Sequence, residues 1–275
     1  MKHKLLKKII RYLLSFLGSI FRFFFKTNNE IIILMYHRVN DCWNSELDVT
    51  VQNFTRQMDY LKEKNYKVIS MDEAYNKMIS GQIRDKYVVI TFDDGYSDFI
   101  YNAYPILKHY NFPAIIFIVP EFIDTSKVFG WDKHIKHNLL MSWNQIINLD
   151  MDANIDFGSH TLTHSNVDCV DEHTLNYELH ASKNILEQKL CRKIRHFAYP
   201  TGVHTKLSEY MVKKYYDTGL LIYQGKKITR CFNVKNRAKL KRIPIRRSDD
   251  KLLFTAKIKG WLIIEDTIKH LLGRP

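Results

Sequence analysis

Along most of the chain, short runs of β-forming residues alternate with stretches in which apolar positions recur every three or four residues. Residues 30–36, 66–70, 86–92, 113–119, 153–158, 196–200, 219–223 and 240–245 are of the first kind. Some, such as Ile31 to Leu34 and Val88 to Ile90, are apolar without a break. Such runs predict strands buried on both faces. Between them, residues 51–65, 71–80, 96–111, 142–149, 171–190 and 206–216 carry the helical period, with Phe54, Met58 and Leu61 on one face of the first. A last helix is expected after residue 245. Repeated strand–helix alternation implies a parallel sheet with right-handed crossovers. About seven such units suit a distorted (β/α) barrel better than an open sheet. Either way, ligands belong at the carboxyl ends of the strands. No Pro/Gly/Ser-rich linker or internal repeat interrupts the pattern. The expectation is one α/β domain over residues 29–275, preceded by a separate segment, residues 1–28.

That segment has a pattern of its own. Lys4, Lys8, Arg11, Ser15, Gly18, Arg22 and Lys26 recur at steps of three and four, while Leu, Ile and Phe fill the remaining positions. The longest uncharged stretch, Tyr12 to Phe21, is about half of what a spanning helix needs. Arg11 and Arg22 interrupt the apolar run, and no small-residue cleavage site follows. The reading is a basic amphipathic helix lying in a membrane interface. The alternatives are a helix packed on the protein's own body and an uncleaved signal anchor with snorkelling arginines.

Charge sharpens the picture. The net charge is +13, and residues 1–26 carry seven Lys or Arg and no acid. Residues 225–275 add a net +11, which leaves the middle mildly acidic. Basic ends suggest an anionic surface as partner. No nucleic-acid module is recognisable, so a membrane surface is expected and nucleic acid is not. Cys42, Cys169, Cys191 and Cys231 are widely spaced, with no CxxC pair. This argues against a thiolate zinc site and a disulfide-stapled fold, and predicts buried free thiols.

Polar residues gather at three predicted strand ends. Asp93 and Asp94 follow residues 86–92, His160 and His164 follow residues 153–158, and His37 ends the first strand. Adjacent carboxylates beside a buried strand are costly unless something compensates. Imidazoles four apart can present two nitrogens to one point if the segment turns helically after the strand. Two histidines and one carboxylate form a zinc-type ligand set with one coordination position left open. A lone Asp–Asp pair is usually a turn, and a lone His-x-x-x-His a solvated helix face. Their joint occurrence at the ends of buried strands is far less often accidental. One carboxylate can then bind a metal, and the other can accept a proton from an attacking water.

These residues resemble the motifs of the polysaccharide deacetylases of carbohydrate esterase family 4, the NodB homology domain, over about residues 31–247. "TFDDG" at 91–95, "SHTLTH" at 159–164 and "FAYPTG" at 197–202 are similar to its first, second and third motifs. The resemblance implies Asp93 as catalytic base. It implies Asp94, His160 and His164 as ligands of a divalent metal, usually Zn2+. It also implies an oxyanion site formed by the backbone N–H of Thr201 after Pro200. The family often has an arginine where this chain has Ala198, and Arg195, Arg242 and Arg246 are the candidate substitutes. No C-terminal Leu-x-His motif is evident, and His270 is expected on the surface, near the end of an amphipathic helix. "MYHRV" at 35–39 resembles a permuted branch that acts on poly-N-acetylglucosamine, in which His37 would be the general acid.

The function expected is metal-dependent removal of N-acetyl groups from an amino sugar. The substrate would be a surface polysaccharide or its lipid-linked precursor, and Tyr199 and Trp131 are candidate sugar-stacking residues. The expected location is the bacterial cell envelope, peripheral on the cytoplasmic membrane, with a signal anchor as the alternative. An O-deacetylase or deformylase on the same scaffold, and an inactive membrane-associated glycan-binding protein, are the rival functions. Oligomeric state, the side of the membrane and the sugar are left open by the sequence.

Overall fold

The computed structural model describes residues 2–24, 30–43, 45–134, 139–222 and 234–262, with backbone alone for 2–7 and 21–24. Ten strands are present among them: β1 (Glu30–Tyr36), β2 (Arg38–Val39), β3 (Asp48–Val49), β4 (Lys67–Val68), β5 (Lys86–Phe92), β6 (Ala114–Ile118), β7 (Ile155–Ser159), β8 (His196–Ala198), β9 (Thr218–Ile222) and β10 (Leu240–Pro244). The α-helices are α1 (Lys2–Phe24), α2 (Val51–Glu63), α3 (Met71–Ser80), α4 (Tyr104–Tyr110), α5 (Trp143–Asp150), α6 (Glu172–Leu190), α7 (Lys206–Tyr215) and α8 (Lys251–Lys259).

The strands are parallel and run in the order β1, β10, β9, β8, β7, β6, β5. β1 then pairs with β5 along seven residues, from Glu30↔Lys86 to Tyr36↔Phe92, and closes the ring. This is the expected barrel of about seven units. β4 stays outside it and pairs only with the start of β5, on the edge that β6 takes further along. Two apolar layers explain the continuous hydrophobic runs. Ile31, Ile33, Val89, Ile115, Phe117 and Leu220 pack together, while the alternate residues Ile32, Leu34, Val88, Ile90 and Ile116 pack against the helices.

Helix starts follow local chemistry. Thr50, Ser70, Ser142, Asp171, Thr205 and Asp250 each accept from a backbone N–H of the first turn of their helix. The predicted helix over 96–111 begins as a wider π turn, Phe99–Ala103, before α4. Pro105 lacks the N–H that a regular turn would use there, and the Tyr104 N–H instead reaches Phe99. Cys42, Cys169 and Cys191 are free, as expected, but they are exposed rather than buried. Cys231 and His270 lie outside the described residues.

The N-terminal helix differs from the expectation in which side it turns to the body. Its basic stripe faces inward. Lys8 pairs with Asp250 at 2.9 Å, Arg11 pairs with the buried Asp249 at 3.1 Å, and Ser15 is buried. The side chains of Lys4 and Arg22, and all of Lys26, lie outside the described residues.

Candidate active site

The strand-end residues converge. After β5 the chain turns sharply, with Asp94 at φ 73° and Gly95 at φ 75°. The left-handed backbone at Gly95 is what calls for glycine there, since a Cβ would meet only the mobile end of Ile118, Cδ1 at 2.8 Å. The turn sends the two neighbouring carboxylates in different directions. Asp93, whose N–H donates to the Tyr36 carbonyl, points at Arg242. Asp94 points at His160 and His164, and each imidazole Nε2 lies 3.5 Å from Asp94 Oδ1.

Arg242 enters from β10 and holds Asp93 with both ends of its guanidinium. Nη1 donates to Oδ1 at 2.6 Å and Nη2 to Oδ2 at 2.7 Å. Nη1 also donates to Thr91 Oγ1, and the guanidinium lies over the Phe117 ring at 5.4 Å. Both partners are buried. Burial alone would push the Asp93 carboxyl up, but the Arg242 charge and hydrogen bonds, with His160 nearby, hold it down at about 2. Asp94 goes the other way: burial and the neighbouring Asp93 charge push it well above the ordinary carboxylate range.

His160 is held in a single tautomer and place. His160 follows β7, and its Nδ1 lies 2.8 Å from the Ala198 carbonyl at the end of β8. A carbonyl only accepts, so Nδ1 carries the proton and the Nε2 lone pair is turned to Asp94. Burial lowers the pKa of His160 to about 3 and also lowers that of His164. Thr161 and His164 are both in the left-handed region, at φ 62° and 60°. Such backbone persists where its surroundings over-determine it. Glu178 on α6 does this. Its carboxylate accepts from the N–H groups of Leu162 and Thr163 and from the hydroxyls of Thr163 and Ser165, at 2.7–3.1 Å.

Asp94, His160 and His164 form a set whose ligand atoms all lie within 4.8 Å of one another. Asp94 Oδ1 is buried without a hydrogen-bond partner, which is costly unless a cation satisfies it. One carboxylate oxygen and two imidazole nitrogens, all facing inward, fit a zinc-type ion.

His37 follows β1 and sits within electrostatic reach of Asp93, Arg242, His164 and Arg38. Burial lowers its pKa to about 4, with the Asp93 charge pulling upward against it. Trp131 is partly exposed beside the cluster. It stacks on Phe129 (centroids 4.8 Å, 5° between planes) and meets the His164 ring edge-on at 5.2 Å. Its Nε1 donates to Tyr96 Oη, which donates to Asp132, and Asp132 also accepts from Arg38. Thr201, at φ 55°, and Pro200 form the turn after β8.

Three candidates do not join the cluster. Arg195 precedes β8 and is committed to Asp72 (2.7 Å) and Asp217 (2.6 Å) at the opposite end of the barrel, where strands begin. Tyr199 is fully buried and donates to the Ala238 carbonyl, so it packs in the core and offers no face to a sugar. Arg246 is not among the partners of Asp93 either; its N–H serves Asp249. Sequence reasoning missed Glu178, Tyr96 and Asp132, whose spacing in the chain carries no signal.

Residues 80–218, just over half of the chain, match the polysaccharide deacetylase family, and the match spans both Asp93–Asp94 and His160–His164. The chain belongs to the polysaccharide deacetylase family. Among curated polysaccharide deacetylase relatives, it is similar to YxkH of Bacillus subtilis, with 28% identity over 175 residues, 63% of this chain and 57% of that protein. It is also similar to the poly-beta-1,6-N-acetyl-D-glucosamine N-deacetylase of Staphylococcus epidermidis, with 30% identity over 148 residues, 48% of each. The chain thus spans about half the length of these relatives. The solved structure of the Streptococcus pyogenes deacetylase PplD in complex with acetate has the same fold. Its TM-score is 0.71 at 23% identity, covering 84% of this chain and 99% of that one.

Proposed function

We propose that this chain is a metal-dependent hydrolase that removes N-acetyl groups from an N-acetylglucosamine-containing surface polymer or its lipid-linked precursor. The observation that carries the reading is the inward-facing Asp94–His160–His164 set with an arginine-held carboxylate, Asp93, beside it. The similarity to N-deacetylases of poly-beta-1,6-N-acetyl-D-glucosamine supports the substrate class.

Asp94, His160 and His164 would hold the ion, with zinc as the metal their donor set suits best. Bound there, it would supply a Lewis acid that polarises the acetyl carbonyl and makes an attacking water easier to deprotonate. The rest falls to side chains. Asp93 is ionised at neutral pH and takes the proton of the attacking water, while Arg242 fixes both of its oxygens. The backbone N–H of Thr201 serves the developing oxyanion. His37, which burial keeps neutral in the resting site, receives the proton taken from the water and passes it to the departing nitrogen as the C–N bond breaks, and acetate and a free amine leave. Trp131, rigid on Phe129, provides a flat face for a sugar ring.

Arg242 also bears on the rival readings. A chain with Ala198 and no other arginine near its base would suit an inactive glycan-binding protein. A bidentate Arg242 supports catalysis instead. Zinc-loaded full-length protein should release acetate from a β-1,6-linked N-acetylglucosamine oligomer and leave free amines on it. Release from an O-acetylated sugar alone would make the chain an O-deacetylase, and release from neither would favour the binding protein.

A further inference from the structure

The N-terminal helix is clamped to the body by its polar side and leaves its apolar side uncovered. Besides the Lys8–Asp250 and Arg11–Asp249 pairs, Tyr12 donates to Asp250. At Gly18 a Cβ would meet the Trp261 carbonyl oxygen at 1.7 Å, so only glycine permits the approach. Asp250 caps the start of α8 and Trp261 lies just past its end. The contacts run in step, so α1 lies beside α8 and points the same way. On the opposite side, Ile9, Ile10, Leu13, Phe16, Leu17 and Ile20 are all exposed, Leu13 and Phe16 by more than 60%. Contiguous apolar surface of this kind marks a contact with lipid or another protein.

Charge separates those two covers. Of the seven basic residues in 1–26, Lys8 and Arg11 are paired with the body, and the other five, Lys2, Lys4, Lys7, Arg22 and Lys26, have no acid beside them in this stretch of sequence. Two such helices face to face would bring like charges together, whereas an anionic lipid surface attracts them. No helix among the described residues is long and apolar enough to cross a membrane. A helix lying in the interface needs no such length.

We propose that α1 lies in the plane of an anionic membrane surface, with the Leu13–Phe16 side sunk among the acyl chains and the Lys8–Gly18 side serving as a fixed bracket to α8. This reverses the usual division of labour in a basic amphipathic helix, because Lys8 and Arg11 are spent on the protein rather than on lipid. It also fixes orientation. α8 runs back from the carboxyl ends of the strands, so α1 lies along the barrel wall and the mouth opens along the membrane rather than away from it. The proposal is independent of the chemistry assigned to the site.

The test uses the full-length chain with vesicles of phosphatidylglycerol and phosphatidylcholine, and with phosphatidylcholine alone. Co-sedimentation should be stronger with the anionic vesicles. A Leu13→Gln/Phe16→Gln variant should bind them roughly tenfold or more weakly, since two buried apolar side chains are removed. Its melting temperature and zinc content should match the parent's, because both residues are exposed. A nitroxide at residue 13 should become shielded from aqueous nickel on vesicles, and one at residue 147, on α5 away from α8, should not. Unchanged binding by the double variant overturns the proposal, and immersion of residue 147 overturns the orientation. A parent that dimerises without binding vesicles, and a double variant that is monomeric, would show that the face joins two copies.

Discussion

At the residue scale, the site turns on what happens to two adjacent carboxylates. Asp93 is held ionised by Arg242, and Asp94 is left buried with an oxygen that has no hydrogen-bond partner and that a cation would satisfy. Removing Arg242 strands a buried charge. Arg242→Gln should lower stability at neutral pH by about 3–5 kcal/mol. The folded pKa of Asp93 is depressed, so its contribution is full above about 4, the unfolded value, and is lost as pH falls toward 2. The gap between the variant and the parent in denaturant melts should therefore narrow as pH falls and close as Asp93 becomes protonated in both proteins; a gap independent of pH would contradict the pairing. Asp94 behaves oppositely. Its raised pKa means that a proton competes with a metal for the same carboxylate, so zinc affinity should rise with pH. Calorimetry in buffers of different ionisation enthalpy reads that proton, and identical heats would contradict it. Sequence reasoning reached both carboxylates and both histidines because strand-end position is written in the chain. It could not choose among arginines, since the partner comes through space from β10. Arg195 was lost to geometry: three residues before Ala198 on an extended strand is about 10 Å toward the wrong end of the barrel.

At the element scale, the alternation of apolar runs and helical periods located the barrel strands and most helices. What it could not show was how the loop after β7 is held. Thr161 and His164 adopt left-handed backbone, and a single carboxylate on α6 accepts four hydrogen bonds from that loop. Glu178 is fourteen residues beyond His164, inside a helix whose period marks it only as one more polar position. Glu178→Ala should weaken zinc affinity by roughly 10–100-fold, as loss of supporting interactions around metal ligands typically does. Competition against a chelator of known affinity measures this. Unaltered affinity with α6 still folded would mean that the loop holds itself.

At the scale of the whole molecule, the closed parallel ring brings β1, β5, β7, β8 and β10 to one mouth, each with one or two residues of the site. The fold was legible because both faces of a parallel strand are buried and the sequence must spell this out. The placement of α1 was only half legible. Its stripe was evident, but a stripe does not say which side meets the body, and here Asp249 and Asp250 decided it. The central claim is that this mouth is a metal-dependent deacetylase site in which Asp93 acts on the water. The most direct test compares acetate release from a β-1,6-linked N-acetylglucosamine oligomer by the full-length protein and by Asp93→Asn, each loaded with zinc and checked for metal content. The account predicts equal metal in both, acetate from the parent, and a rate roughly 10²–10⁴-fold lower in the variant. Equal rates from the two proteins, or no acetate from a zinc-loaded parent, would contradict it.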